Sequence, residues 1–140
     1  MFTLDPRLAG DTVPVTRLAL CEVRLTDEIA WPWLILVPMR PDTRELLDLT
    51  AEDRYRLVDE IALAERVLAD LHSPDKLNVA ALGNQVAQLH VHVIARRIGD
   101  AAWPQPVWGA TARALHPPGE AAAAAARLAA AFAARSDADG

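Results

Sequence analysis

The chain has 140 residues, a net charge of −5 and 52% hydrophobic residues, the size and balance of one globular domain that needs no covalent staple. That acidic balance excludes a general nucleic-acid surface, which requires basic patches to displace counterions from phosphates. The one cysteine, Cys21, excludes an intramolecular disulfide and a cysteine-based zinc cluster, and reads as a small buried apolar residue.

"MFTLDPRLAGDTVPVTR" is broken by Pro6, Gly10 and Pro14 and predicts an arm with at most a short strand. It lacks the basic head and apolar centre of a signal peptide, and no apolar run in the chain reaches membrane-spanning length. A cytoplasmic location without membrane association is the expectation. "LALCEVRLT", Leu18 to Thr26, alternates in part and predicts a strand; "DEIAWP" reads as a turn. "WLILVPM", Trp33 to Met39, is a continuous apolar run stopped by Pro38 and Pro41, the pattern of a buried strand.

The clearest element follows. Thr50 has the chemistry of a helix N-cap, and Asp53 three residues later makes a weaker relative of a capping box. Leu57, Ile61, Ala64, Leu68 and Leu71 then recur as one apolar stripe, with Asp59, Glu60 and Glu65 reading as the wet side. Ser73-Pro74-Asp75 closes the helix. "KLNVAAL" and "QLHVHVIARR" predict two antiparallel strands around a loop of four or five residues, "GNQVA". "GDAAWPQPVWG" is irregular, and an alanine-rich helix is expected from about Glu120 to Arg135. Strands, one long helix, a hairpin and a last helix predict a mostly antiparallel α+β fold. Residues 1–112 form the main unit, with 113–140 adding a helix and tail to the same domain.

The unusual pattern is in "AQLHVHVIARR". Side chains alternate faces along a strand, so Leu89, Val91 and Val93 share a core face while Gln88, His90, His92 and Ile94 share the other. Successive polar groups there stand about 6.5 Å apart. Solvent exposure is the plain reading of such a row. Three chemistries could also use it. His-x-His can offer two imidazoles to a metal, although zinc sites need three or four ligands and His72 and His116 show no sign of converging. One imidazole can serve as a general acid or base. An imidazole can also attack phosphorus, which requires a hydrogen bond that fixes its Nδ1–H and donors for the phosphoryl oxygens. Asn78, Gln85, Gln88 and backbone N–H groups near Gly83 are candidate donors.

"LNVAALGNQVAQLHVHVIARR" resembles the histidine-triad (HIT) superfamily of nucleotide hydrolases and transferases. "WPWLILVPMRP", the long helix after it and Trp103-Pro104 extend that similarity over roughly residues 15 to 109. The resemblance implies a HIT-like sheet of about five strands with one long helix. It implies His90 as the nucleophile and His92 as the contact to phosphate and leaving group. Asn78 would hold ribose and phosphate, with Gly83 and Gln85 in the loop that donates to the α-phosphate, Gln88 also among the nucleotide-binding residues and Asp27 near the ribose. The implied ligand is a purine nucleotide or nucleotide conjugate, with no metal or cofactor in the reaction, and the implied assembly is a homodimer through the long helix and sheet edge. Two departures stand out. Gln88 replaces the first triad histidine, and Trp33 occupies an upstream histidine position. In the family the first triad residue acts largely through its backbone carbonyl, which any residue supplies.

A nucleotide-binding regulatory module without efficient chemistry is the alternative, and a His-x-His metal protein a third. Trp103 and Trp108 could wall a base, but packing of a proline-rich segment is the plainer reading. Arg96 and Arg97 read as solvated strand-end charges.

Overall fold

A computed structural model describes residues 1–110 and 114–139, with side chains described through Arg135. The expected boundary between residues 112 and 113 lies outside the described residues. Short helix α1 (Pro6–Gly10) leads into β1 (Thr12–Arg17), β2 (Cys21–Thr26) and β3 (Trp33–Pro38). Helix α2 (Ala51–His72) follows, then β4 (Lys76–Ala80), β5 (Val91–Arg96) and helix α3 (Glu120–Asp139). The five strands form one antiparallel sheet in the order β1-β2-β3-β5-β4. The α+β expectation therefore holds, as does the count of about five strands. Among the described residues no helix is long and apolar enough to cross a membrane.

Alternation divides the sheet into two faces. Val23, Leu25, Leu34, Leu36, Leu89, Val91, Val93 and Ala95 join one core with Leu57, Ala64, Val67 and Leu68 of α2. Ala125, Leu128 and Phe132 of α3 enter the same core, so the alanine-rich helix is an integral layer. Its small side chains let it lie close against β1 and α2. The other face carries Arg24, Thr26, Trp33, Ile35, His92, Ile94 and Arg96, and it is this face that bears the site.

Helix α2 begins as expected, with Thr50 Oγ1 accepting from the Asp53 N–H at 3.1 Å. The capping partner is used differently: Asp53 takes a two-point pair from Arg40 at 2.8 and 3.0 Å, which raises the Arg40 pKa. Ser73 ends the helix in a left-handed conformation.

Several expectations change. The first segment holds α1 and a full edge strand. Pro6 at the helix start and the Asp5 carboxylate accepting from Arg7 N–H nucleate that turn. The β4–β5 connection spans residues 81–90, longer than expected, because the pairing that runs from Lys76 opposite Arg96 ends where Ala80 meets His92. Glu60 is buried, not wet, and its carboxylate accepts from the N–H groups of Leu20 and Cys21 at 2.9 and 2.8 Å. It takes up two donors that the β1–β2 turn leaves without a ladder partner. Burial and Glu60 together push the Cys21 thiol far above its ordinary pKa. Leu71, at the end of the predicted stripe, is exposed.

Candidate active site

The histidines stand where the site face of β5 opens into a cavity of about 470 Å³. His90 and His92 are both buried, and their rings meet edge to face with centroids 5.0 Å apart. Strand β3 supplies the floor through Ile35, which lies opposite His92, and Trp33. Leu8 of α1 closes one side, and Val107 and Trp108 close another.

Hydrogen-bond partners fix the two rings in opposite tautomers. His90 Nδ1 lies 2.6 Å from the Gln88 carbonyl oxygen. A carbonyl only accepts, so Nδ1 carries the proton and Nε2 of the neutral ring carries the lone pair. Trp33 Nε1–H donates to His92 Nδ1 at 2.9 Å. An indole N–H only donates, so His92 Nδ1 is the acceptor and Nε2 carries the proton. Burial, reinforced by neighbouring His90, lowers the His92 pKa from 6.5 to about 4. The pair thus presents one nucleophilic nitrogen and one neutral N–H donor.

Trp108 packs edge-on against both His92 and Trp33, at 4.9 and 5.6 Å between centroids. It belongs to the site wall, whereas Trp103 packs beneath the Arg96 guanidinium at 5.3 Å. Arg96 is the largest correction on this strand. It is 1% exposed and donates to both Asp100 oxygens, Asn78 Oδ1 and the Gln105 carbonyl. That guanidinium holds the Asp100 carboxyl well below the usual range. It also anchors the irregular segment that carries Trp108.

The sequence-predicted residues divide. His90, His92, Gly83 and Gln85 all line the cavity. Gly83 has φ +77°, a left-handed conformation that glycine adopts without strain. Asn78, Gln88 and Asp27 are placed elsewhere. The Asn78 side-chain oxygen is taken by Arg96. The Gln88 carboxamide points to the N-terminal arm, donating to Thr3 O and accepting from Asp5 N–H, each at 2.8 Å. Asp27 ends the β2 region, where its carbonyl accepts from His116 N–H at 3.0 Å; its neighbour Glu28 lines the cavity instead. Glu28 is buried and accepts from Ala30 and Ala114 N–H groups.

Sequence reasoning missed Leu8, Thr26, Glu28 and Trp31 in this wall. Thr26 Oγ1 and Trp31 Nε1 are buried there with no hydrogen-bond partner among the described residues. Thr26 had a readable signal, since it continues the alternating face of Glu22 and Arg24. Among the described residues no group of three His, Cys, Asp or Glu side chains could hold a metal ion.

Comparison with known proteins decides the family. The HIT domain model matches residues 10–99. The chain belongs to the HIT family. A histidine triad protein from Sinorhizobium meliloti 1021 is 48% identical, with a TM-score of 0.86 over 91% of this chain and 94% of that one. A histidine triad protein from Bradyrhizobium japonicum is 44% identical, with a TM-score of 0.88 over 94% and 98%. One from Marinobacter aquaeolei VT8 is 41% identical, with a TM-score of 0.90 over 96% and 98%. No curated protein matches. In this HIT protein the arm before residue 10 and the wall around Trp108 both lie outside the segment matched by the family model.

Proposed function

We propose that the protein is a nucleotide hydrolase or transferase that works through a nucleotidyl-histidine intermediate. The observation that carries this reading is the 2.6 Å contact from His90 Nδ1 to the Gln88 carbonyl, which leaves Nε2 as a nucleophile facing phosphorus. In the proposed step the Nε2 lone pair forms a bond to the α-phosphorus, and the bond from phosphorus to the leaving group breaks. Water then attacks the same phosphorus, releasing a nucleoside monophosphate and restoring His90. His92 Nε2–H donates to a phosphoryl oxygen, and backbone N–H groups near Gly83 with the Gln85 amide add further donors. Trp31, Trp108 and Val107 form an apolar wall suited to a purine, with Thr26 and Trp31 supplying polar atoms inside it. Asn78 and Gln88 fit the reading only indirectly, through Arg96 and the Gln88 carbonyl.

The test is His90→Asn against adenosine phosphoramidate and dinucleoside polyphosphates. Loss of turnover, with trapping of a nucleotidyl adduct on His90 in the wild type, is expected; unchanged turnover in the variant would refute the assignment. One observation favours a binding module as the second reading. His92, held neutral, is a hydrogen-bond donor and not a strong acid for the leaving group. Calorimetric binding of AMP or GMP with no turnover of any conjugate would select that module.

Assembly as a homodimer belongs to the same proposal. Strand β4 is a sheet edge, and Tyr55 and Val58 are exposed on α2. Light scattering should report twice the chain mass, and a monomer at all concentrations would contradict it.

A further inference from the structure

All but the last residue of the segment MFTLDPRLAG precedes the family match, yet the segment is linked to both histidines through Gln88 and Trp33. Phe2 and Leu4 pack against the cluster of Leu8, Ile35 and Val37, and Trp33 and Val86 pack against the same cluster. Trp33 is the donor that pins His92. Gln88 makes the other link. Its backbone carbonyl accepts from His90 Nδ1–H, while its carboxamide binds Thr3 O and Asp5 N–H. A carboxamide presents a donor and an acceptor side by side, as a peptide edge does, so it can pair with backbone groups two residues apart. An imidazole holds its two nitrogens on diverging directions and cannot match that edge.

The acceptor of His90 needs such support. Gln88 lies in a bend before β5 begins at Val91, so no sheet ladder fixes its carbonyl. The Gln88–Leu89 peptide is held at its other end, where Leu89 N–H donates to Thr43 O at 2.9 Å. The docked arm supplies a second anchor through the side chain.

We propose that the N-terminal arm, clasped by the Gln88 carboxamide, is a positioning element for the histidine pair. It fixes the carbonyl that orients His90 and supports the indole that orients His92. Gln88 is accordingly a positioning residue whose side chain never meets the substrate. This rests on the reading of His90 as the nucleophile.

The test uses Gln88→Ala and Gln88→Glu in the full chain. Glutamate keeps an acceptor for Asp5 N–H but sets an oxygen against Thr3 O. Leu4→Ser loosens the arm from its apolar side without touching Gln88, and serves if either Gln88 variant fails to fold. Three readouts are compared with wild type: trypsin cleavage after exposed Arg7, the His90 Nδ1–H signal in imidazole ¹H–¹⁵N spectra, and kcat and KM on a nucleoside phosphoramidate. Faster cleavage, a broadened or lost Nδ1–H signal and a roughly tenfold fall in kcat, larger than the change in KM, are expected. Faster cleavage with kcat and the Nδ1–H signal unchanged would reduce the arm to a structural appendage. Unchanged cleavage would show that Gln88 is not the clasp. A wild-type protein without turnover would overturn the reading of His90, while cleavage and spectra would still decide whether arm and ring are coupled.

Discussion

Acid should weaken this fold through one ring. His92 lies at about 4 against an ordinary 6.5, chiefly because burial disfavours the imidazolium and secondarily because of His90. Trp33 adds a geometric reason, since protonating Nδ1 would set two donors against each other. Between those two values the unfolded chain binds the proton more readily than the folded one. The stability tied to His92 is therefore complete above about pH 6.5 and is lost as pH falls toward about 4, over a span of roughly 3 kcal/mol. His92→Asn removes the titration while keeping a side-chain oxygen that can accept from Trp33. Urea unfolding of both proteins in steps from about pH 7.5 to 4 isolates the effect, because His72 and the carboxylates titrate in both. Relative to the variant, wild type should lose about 2–3 kcal/mol on acidification. A difference between the two proteins that stays flat across that range would refute the reasoning.

Trp33→Phe keeps an aromatic ring but removes the N–H that pins His92. It should cost about 1–2 kcal/mol, raise the His92 pKa in imidazole spectra and lower kcat by roughly tenfold; wild-type values for all three would remove the pinning role. Glu60→Gln sets an amide NH₂ against one of two backbone N–H groups and should cost about 2–3 kcal/mol in urea unfolding, with no shift in the pH profile of turnover. Arg96→Met removes the donors to Asn78, the Gln105 carbonyl and Asp100, whose carboxylate keeps the backbone N–H groups of Arg97, Ala102 and Trp103, and should destabilise by roughly 2–3 kcal/mol. Because the Trp108 segment loses its anchor, nucleotide binding measured by calorimetry should weaken in the same variant.

Periodicity made the sheet faces and α2 legible. Leu89, Val91 and Val93 lie in the core and His90 and His92 on the opposite face because a strand allows nothing else. Local chemistry made Thr50 legible as a cap. Charges were misread wherever a partner lay far along the chain. Glu60 meets Leu20 and Cys21 some forty positions away, and Arg96 meets Asn78 across the β4–β5 pair. A window along the sequence sees only a charge on a helix or strand end. Gln88 shows the same limit most clearly. Its carbonyl could be anticipated from the strand that follows, but its side-chain partners, Thr3 and Asp5, stand more than eighty residues upstream. The wall formed by Leu8 and Trp31 was hidden because apolar residues carry no charge or spacing that marks a site.

The two margins of the sheet are unequal. On β1, Pro14 lacks an N–H and the register shifts between Pro14 and Thr16, so no further chain can add there in continuous pairing. On β4 the run from Lys76 to Ala80 has no such interruption. Any growth by strand addition therefore proceeds from one side only. In the proposed homodimer, two copies joined at β4 would turn their β1 margins outward, and continuous strand addition would end there.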